Sequence, residues 1–216
     1  MLFDPAIIAL TEQCAPDVHA RTMATLVQTE SSNNPLAIGV VGMTLAEQPK
    51  TKAEAITTAT ALLKGGATIA VGLSQINTRN LESLGLTLDA AFDSCPNLKG
   101  GAQILQGCYQ RAVNEFGEGQ PALQAALSCY YSNNFSTGLK DEGNGKGSYV
   151  ERIAKNHDKL IKVPEIQFSA QSVKEAQQNK ADISKPVAPV QALEELAAPA
   201  TSKAASWDVM EDFAKP

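Results

Sequence analysis

Met23-Ala24-Thr25-Leu26-Val27-Gln28-Thr29-Glu30-Ser31-Ser32-Asn33-Asn34-Pro35 decides the reading of this chain. Met23, Leu26, Val27 and Glu30 stand at i, i+3, i+4 and i+7, the spacing of one helical face. Asp17, after Pro16, is placed to cap that helix. Asn34-Pro35 ends it, because the residue before proline is pushed out of helical conformation. Glu30 is therefore expected on the apolar face, at the C-terminal end. Poor solvation and the negative end of the helix dipole both favour a protonated carboxyl there. A carboxyl kept protonated near neutral pH is what a general acid requires. Most glutamates instead face solvent, so the helical register alone does not make Glu30 catalytic.

The surrounding sequence predicts more helices. Thr51-Lys52-Ala53-Glu54 is a capping box opening a helix through Ile56, Ala59, Leu62 and Leu63, which Gly65-Gly66 stops. Ala67–Val71 is short, apolar and bounded by glycine, a strand or extended segment. A longer helix is predicted from about Asn97 to Phe116, with Leu98, Ala102, Leu105, Tyr109 and Ala112 on one face. Another follows Gln120-Pro121 and turns Leu123, Leu127 and Tyr130 inward. Gly143, Gly145 and Gly147 mark a loop, and a last helix opens at Tyr149.

The chain has 216 residues, 44% hydrophobic and 19% charged, with a net charge of −5. That length suits one or two domains. The acidic balance argues against a dedicated nucleic-acid partner, which needs clustered Lys and Arg. No apolar run approaches the roughly 20 residues of a membrane span. Two distant histidines, His19 and His157, and the lack of any CxxC pair give no expectation of a metal site or cofactor. Met1–Leu10 has no basic start and is broken by Asp4 and Pro5, so an export signal is weak or absent as written. Cys14, Cys95, Cys108 and Cys129 suit either buried thiols or two bridges in an oxidising compartment.

The composition changes near residue 163. No glycine follows Gly147 and no cysteine follows Cys129; beyond Val163 the chain is rich in Ala, Gln, Lys, Glu and Pro. Residues 1–163 are thus expected to form one folded domain and residues 164–216 a mostly disordered tail, because so few large apolar groups cannot offset the ordering entropy. Val190–Ala197 and Ser206–Ala214, the second carrying Trp207, Met210 and Phe213, are candidate helices that form on a partner.

Four segments together resemble a known family. Glu30-Ser31-Ser32-Asn33-Asn34-Pro35 is similar to the E-S-x-x-N-P signature of soluble lytic transglycosylases, relatives of goose-type lysozyme. Gly72-Leu73-Ser74-Gln75-Ile76-Asn77 resembles the second motif, and Ala126–Asn133 occupies the place of the third. Tyr149-Val150, after the glycine loop, resembles the fourth. The details look most like the transglycosylases of type IV secretion and conjugation systems. Tyr131 stands where Asn is commoner and Asn133 where Gly is. Ala37-Ile38-Gly39 lacks the serine that many members place after the first motif.

The resemblance implies a mainly α, α+β lysozyme-like domain that cleaves peptidoglycan in the periplasm. Glu30 would be the single catalytic acid, and Ser31, Gln75, Asn77, Tyr130, Tyr131, Ser132, Asn133 and Tyr149 candidate substrate-binding residues. Tyr130 suits core packing as well as a groove; Tyr131 and Tyr149 suit the groove better. The tail would recruit secretion or conjugation components. A lysozyme-like hydrolase and a non-enzymatic wall-binding module are the competing readings. An extracytoplasmic site favours oxidised cysteines. Cys95 and Cys108 lie about 20 Å apart along one predicted helix, too far to bridge. Cys108–Cys129 with Cys14–Cys95 is then the favoured pairing, while Cys14–Cys108 with Cys95–Cys129 stays open.

Overall fold

The computed structural model describes residues 5–143 and 145–161. The tail expected over residues 164–216, with its two candidate partner-binding helices, lies outside them. Helices α1 (Pro5–Cys14), α2 (Ala20–Ser31), α3 (Lys52–Lys64), α4 (Ser94–Phe116), α5 (Gln120–Ser132) and α6 (Tyr149–Ile161) surround a small antiparallel sheet. Its strands, β1 (Ile38–Val40), β2 (Ile69–Val71) and β3 (Ile76–Asn77), lie in sequence order. Ile38 pairs with Val71, and Val71 with Ile76. The domain is mainly α with an α+β plan, as the motifs imply.

Two large apolar clusters build the described core, beside a smaller third between α4 and α5. One joins Val18, Met23, Leu26, Val27, Leu98, Leu105, Leu123, Leu127, Tyr149 and Ile153 from the helices. The other joins Ile38, Ala55, Ala59, Ile69, Val71, Ile76 and Phe92 around the sheet. Helix α2 is the axis of the first: every side chain from Thr22 to Val27 is buried. Burying a Met or Leu side chain stabilises the fold by roughly 1.5–3 kcal/mol, so this helix is held by packing rather than by propensity.

Several boundaries differ from the sequence expectation. His19 precedes the first residue of α2, so Asp17 is not its cap; Val18 is buried in the turn between α1 and α2, and the helix begins only after it. Residues 5–14, weighed above only against an export signal, form α1, with Ile7, Thr11 and Cys14 buried at helical spacing. Helix α4 begins at Ser94 rather than Asn97. Pro96 lies in its first turn, where a missing N–H costs no helical hydrogen bond. The capping box at Thr51 and Glu54 forms as read, with Glu54 N donating to the Thr51 hydroxyl at 3.2 Å and Thr51 N to the Glu54 carboxylate at 3.3 Å.

The turn from β2 to β3 is fastened to α4 by one buried side chain. Asn97 Nδ2 donates to Val71 O at 2.9 Å and Ala91 O at 2.7 Å, and its Oδ1 accepts from Ser74 N at 2.7 Å. Gly72 has φ +77°, and a Cβ there would lie 2.2 Å from Asn97 Nδ2 and 2.6 Å from Ala91 O. On α4, a Cβ at Gly101 would lie 2.5 Å from the Ser74 side chain. Both glycines are required by this close approach.

Cys14–Cys95 and Cys108–Cys129 are bridged, with Cα separations of 4.9 and 5.7 Å. The first ties the C-terminal end of α1 to the first turn of α4. The second ties α4 to α5 within a layer of small residues, Ala112, Ala122, Ala125 and Ala126.

Candidate active site

The segment after Glu30 is built to stop a helix at once. Ser32 and Asn33 take positive φ, 54° and 66°. Ser32 N–H closes the helix on Gln28 O at 3.2 Å, and Asn33 Nδ2 donates to Gln28 Oε1 at 2.9 Å. Asn34 Oδ1 then accepts from Leu36 N at 2.9 Å, an Asx turn that sends the chain into β1. Glu30 is left in the last turn of α2, at the head of a cleft.

The cleft encloses about 360 Å³ and is lined by Glu30, Ser31, Ser32, Gly39, Met43 and Gln75 among others. Among the described residues, Glu30 is the one carboxylate in its lining. Gln75 has φ 46° and donates from Nε2 to Gly72 O at 2.9 Å and Ala37 O at 3.1 Å. It braces the cleft wall by joining the β2–β3 turn to the loop before β1. Hydroxyls come from Ser31, Ser32 and Thr44 rather than from Ala37-Ile38-Gly39. The Ser31 hydroxyl is itself given to Val27 O at 3.1 Å.

Glu30 is half-buried, and its carboxyl is shielded from water on the helical side. Burial raises its pKa from 4.5 to about 7, against the opposing pull of the Tyr149 hydroxyl and the Arg152 charge. The Tyr149 hydroxyl donates to Glu30 Oε1 at 2.5 Å. Tyr149 occupies the first position of α6 because Ser148 and Glu151 form a reciprocal cap: Ser148 N donates to Glu151 Oε2 at 2.9 Å and Glu151 N to Ser148 Oγ at 3.1 Å. Asn156 Nδ2 donates to Thr29 Oγ1 at 2.9 Å, setting α6 against α2 one residue before the acid.

The other expected site residues divide. Tyr149 is 2% exposed: its ring packs in the core and its hydroxyl donates to Glu30. Tyr130 is half-buried and donates to Ser74 O at 2.6 Å, tethering α5 to the β2–β3 turn. Burial, followed by the nearby Glu30 charge, pushes the Tyr130 hydroxyl well above its ordinary pKa. Tyr131, 44% exposed, stacks on Tyr149 with ring centroids 4.7 Å apart. Asn77 Oδ1 accepts from Arg79 N at 3.0 Å, and Ser132 Oγ donates to Ser128 O at 2.8 Å. Asn133 Oδ1 accepts from Arg111 Nη2 at 3.3 Å. None of these last three lines the cleft.

Sequence reasoning missed Met43 and Gln48 in the cleft wall. Gln48 pairs with both the N–H and the C=O of Ile38, at 2.8 and 3.0 Å, as a strand neighbour would. It also missed Arg152 and Glu142. Arg152 stands three residues after Tyr149, on the same helical face, a signal present in the sequence. Among the described residues no group of His, Cys, Asp or Glu is placed to hold a metal ion. No described helix is long and apolar enough to cross a membrane.

A helical domain with one buried acid at the end of its central helix, opening on a cleft beside a three-stranded sheet, defines a lysozyme-like class. A family model described as the transglycosylase SLT domain matches residues 8–140, more than half of the chain, which therefore belongs to that family. The type IV secretion system protein virB1 of Brucella abortus biovar 1 (strain 9-941) is 47% identical over 156 residues, covering 72% of this chain and 65% of that protein. Protein virB1 of Rhizobium radiobacter is 36% identical over 149 residues, covering 68% and 60%. That of Agrobacterium fabrum (strain C58 / ATCC 33970) is 35% identical over 151 residues, covering 69% and 58%. The chain thus spans less than two thirds of the length of these relatives. No solved structure matches it.

Proposed function

We propose that the chain is a peptidoglycan lytic transglycosylase that cleaves the β-1,4 bond from N-acetylmuramic acid to N-acetylglucosamine and leaves a 1,6-anhydro end. The observation that carries this reading is the single cleft carboxylate, Glu30, with a pKa of about 7. Near neutral pH it can both give and take a proton. Two-carboxylate glycosidases need a second acid facing the first. Glu142, the carboxylate next to this array, is spent on Arg152 and is not in the cleft wall.

One residue suffices if the substrate supplies the rest. Glu30 protonates the glycosidic oxygen as the bond to C1 breaks, and the glucosamine unit leaves as an alcohol. The acetamido oxygen of the muramyl sugar stabilises the developing positive charge at C1. Glu30, now a carboxylate, takes the proton from the C6 hydroxyl as that oxygen closes on C1. The acid is restored and no water is consumed. Ser31, Ser32 and Gln75, in the cleft lining, would orient the sugar. Tyr131 offers an exposed ring on the helical flank.

The name of the Brucella relative, a type IV secretion system protein, supports a place beside such an apparatus, where this chain would open the wall locally in the periplasm. The tail after Val163 would recruit its components, leaving glycan cleavage to residues 1–163. Mass spectrometry of muropeptides released from purified sacculi tests the reaction. Anhydro ends support it; reducing ends would make the protein a hydrolase; no release from sacculi would leave a wall-binding module. Truncation at Lys162 should keep cleavage and abolish co-purification with secretion components. Loss of cleavage would place the tail in the catalytic unit.

A further inference from the structure

The loop between α5 and α6 carries a carboxylate that the proposed reaction does not use. Glu142 N–H donates to Gly147 O at 3.2 Å, closing the base of a loop in which Gly143, Gly145 and Gly147 all take positive φ. This closure sets Glu142 against the first turns of α6. Glu142 Oε2 lies 2.8 Å from Arg152 Nη1, and Oε1 accepts from Nη2 at 3.0 Å. The same carboxylate stands close enough to the Tyr131 hydroxyl to raise its pKa, after burial. Arg152 Cζ lies 5.6 Å from the centre of the Tyr149 ring, on which Tyr131 stacks. Glu142 therefore holds Arg152 and stands beside Tyr131, the two side chains that pack on Tyr149, and Tyr149 holds Glu30.

We propose that Glu142 and Arg152 are positioning residues for the acid, fixing the Tyr131–Tyr149 stack so that the Tyr149 hydroxyl stays on Glu30, with the glycine loop as the arm that delivers Glu142. The role rests on the reading of Glu30 as the acid. Neither residue lines the cleft, so neither is placed to touch the sugar. The planar guanidinium meets the carboxylate by one hydrogen bond, from Nη2, and one ion-pair contact, at Nη1; two contacts from a rigid plane fix direction as well as distance, which a single ammonium contact does not. The pair is about 30% exposed on each side, so water does not fully loosen it.

The charges give this role a sign that packing alone lacks. Glu30 is faced by Tyr149 and Arg152 from α6 and by Tyr130 and Tyr131 from α5. The cleft wall on the sheet side, Ala37 to Val40 and Gln75, carries no charge. Arg152 is the cation of this set and favours the Glu30 carboxylate. Glu142, paired with Arg152, is placed to offset that charge, and in the proposed role it helps the acid keep its proton.

The test is a ¹³C NMR titration of the Glu30 carboxyl in the full chain and in Glu142→Gln, Arg152→Met and Arg152→Lys. Circular dichroism and melting establish that each variant folds. The midpoint near 7 should fall by roughly half a unit or more in Glu142→Gln, where Arg152 is uncompensated, and rise by a similar amount in Arg152→Met. Arg152→Lys keeps the charge but loses the fork. Its midpoint should stay near the parent's while turnover on sacculi falls several-fold. Superimposable titrations in the folded variants overturn the proposal. If the parent cleaves no glycan yet Glu30 shifts in opposite directions in Glu142→Gln and Arg152→Met, the pair stands and the transglycosylase reading falls. If the parent is active and Glu30 responds to neither variant, only the pair falls.

Discussion

The Tyr149 hydroxyl lies 2.5 Å from Glu30 Oε1, across a separation of 119 residues in the chain. This contact and the burial of Glu30 act in opposite directions. The hydroxyl favours the carboxylate, whereas removal from water favours the acid, and burial prevails to give a pKa of about 7. The result is a carboxyl aimed at the cleft and close to half-protonated at neutral pH.

Tyr149→Phe keeps the ring stacked on Tyr131 but removes the donor to Glu30. The carboxylate loses a stabilising partner, so the Glu30 pKa rises and the alkaline limb of the pH–rate profile moves up. Turnover falls by roughly 10–100-fold because the acid is less well aimed. Rates measured from pH 5 to about 9 check both effects; an unmoved limb counts against the contact.

Glu30→Gln should lower turnover on purified peptidoglycan by about 10²–10⁴-fold with an unchanged circular dichroism spectrum. Its stability should depend on pH in a defined way. The native carboxyl, with its pKa raised from 4.5 to about 7, binds a proton more tightly than the unfolded one. That stabilisation is full below pH 4.5 and is lost as pH rises through 7. The variant should therefore match the parent near pH 4 and exceed it at pH 8. The gain should be about 1–2 kcal/mol, allowing for screening at the open cleft. Urea unfolding at the two pH values reads the difference, and a variant no more stable at pH 8 would contradict the raised pKa.

Asn97→Ala removes three buried hydrogen bonds that hold the β2–β3 turn on α4. Leaving Val71 O, Ala91 O and Ser74 N without this partner should cost about 2–4 kcal/mol. Gly72→Ala should also destabilise, through both its positive φ and the clash with Asn97. Denaturant midpoints check each; a loss below about 0.5 kcal/mol for Asn97→Ala would show that the turn is held by other contacts.

Protein made in an oxidising compartment should yield Cys14–Cys95 and Cys108–Cys129 peptides in a non-reducing digest. Joint replacement of Cys108 and Cys129 by Ser should cost roughly 3 kcal/mol, the loop-closure value for a bridge of this span. Free thiols, or either cysteine bonded elsewhere, would reject this pairing.

Glu30 was legible because periodicity is a local property: Met23, Leu26 and Val27 pack in the core, and the register they set carries the next turn to the cleft. The capping box of α3 and the proline start of α5 were legible for the same reason. Strands β1 and β3, of three and two residues, were not, because alternation cannot be read over so few positions. Helix α1 carried a readable pattern in Ile7, Thr11 and Cys14, but a polar Thr at a buried position and the proximity of the chain start hid it.

The sequence by itself determined where helices begin and end around the acid. Helical period, Asx turns and capping boxes each involve residues within one or two turns of one another. It also carried the motifs whose order marks the family. Only the tertiary structure decided what surrounds the carboxyl. Tyr149, Tyr130 and Arg152 lie 100 or more residues downstream of Glu30, on α5 and α6. Whether a tyrosine beside a glycine loop becomes a groove platform or a buried donor depends on how α6 packs on α2, here set by the Ser148–Glu151 cap and the Asn156–Thr29 bond. The pKa of a carboxyl is the balance of its solvation against such distant partners, and that balance exists only once the helices are packed.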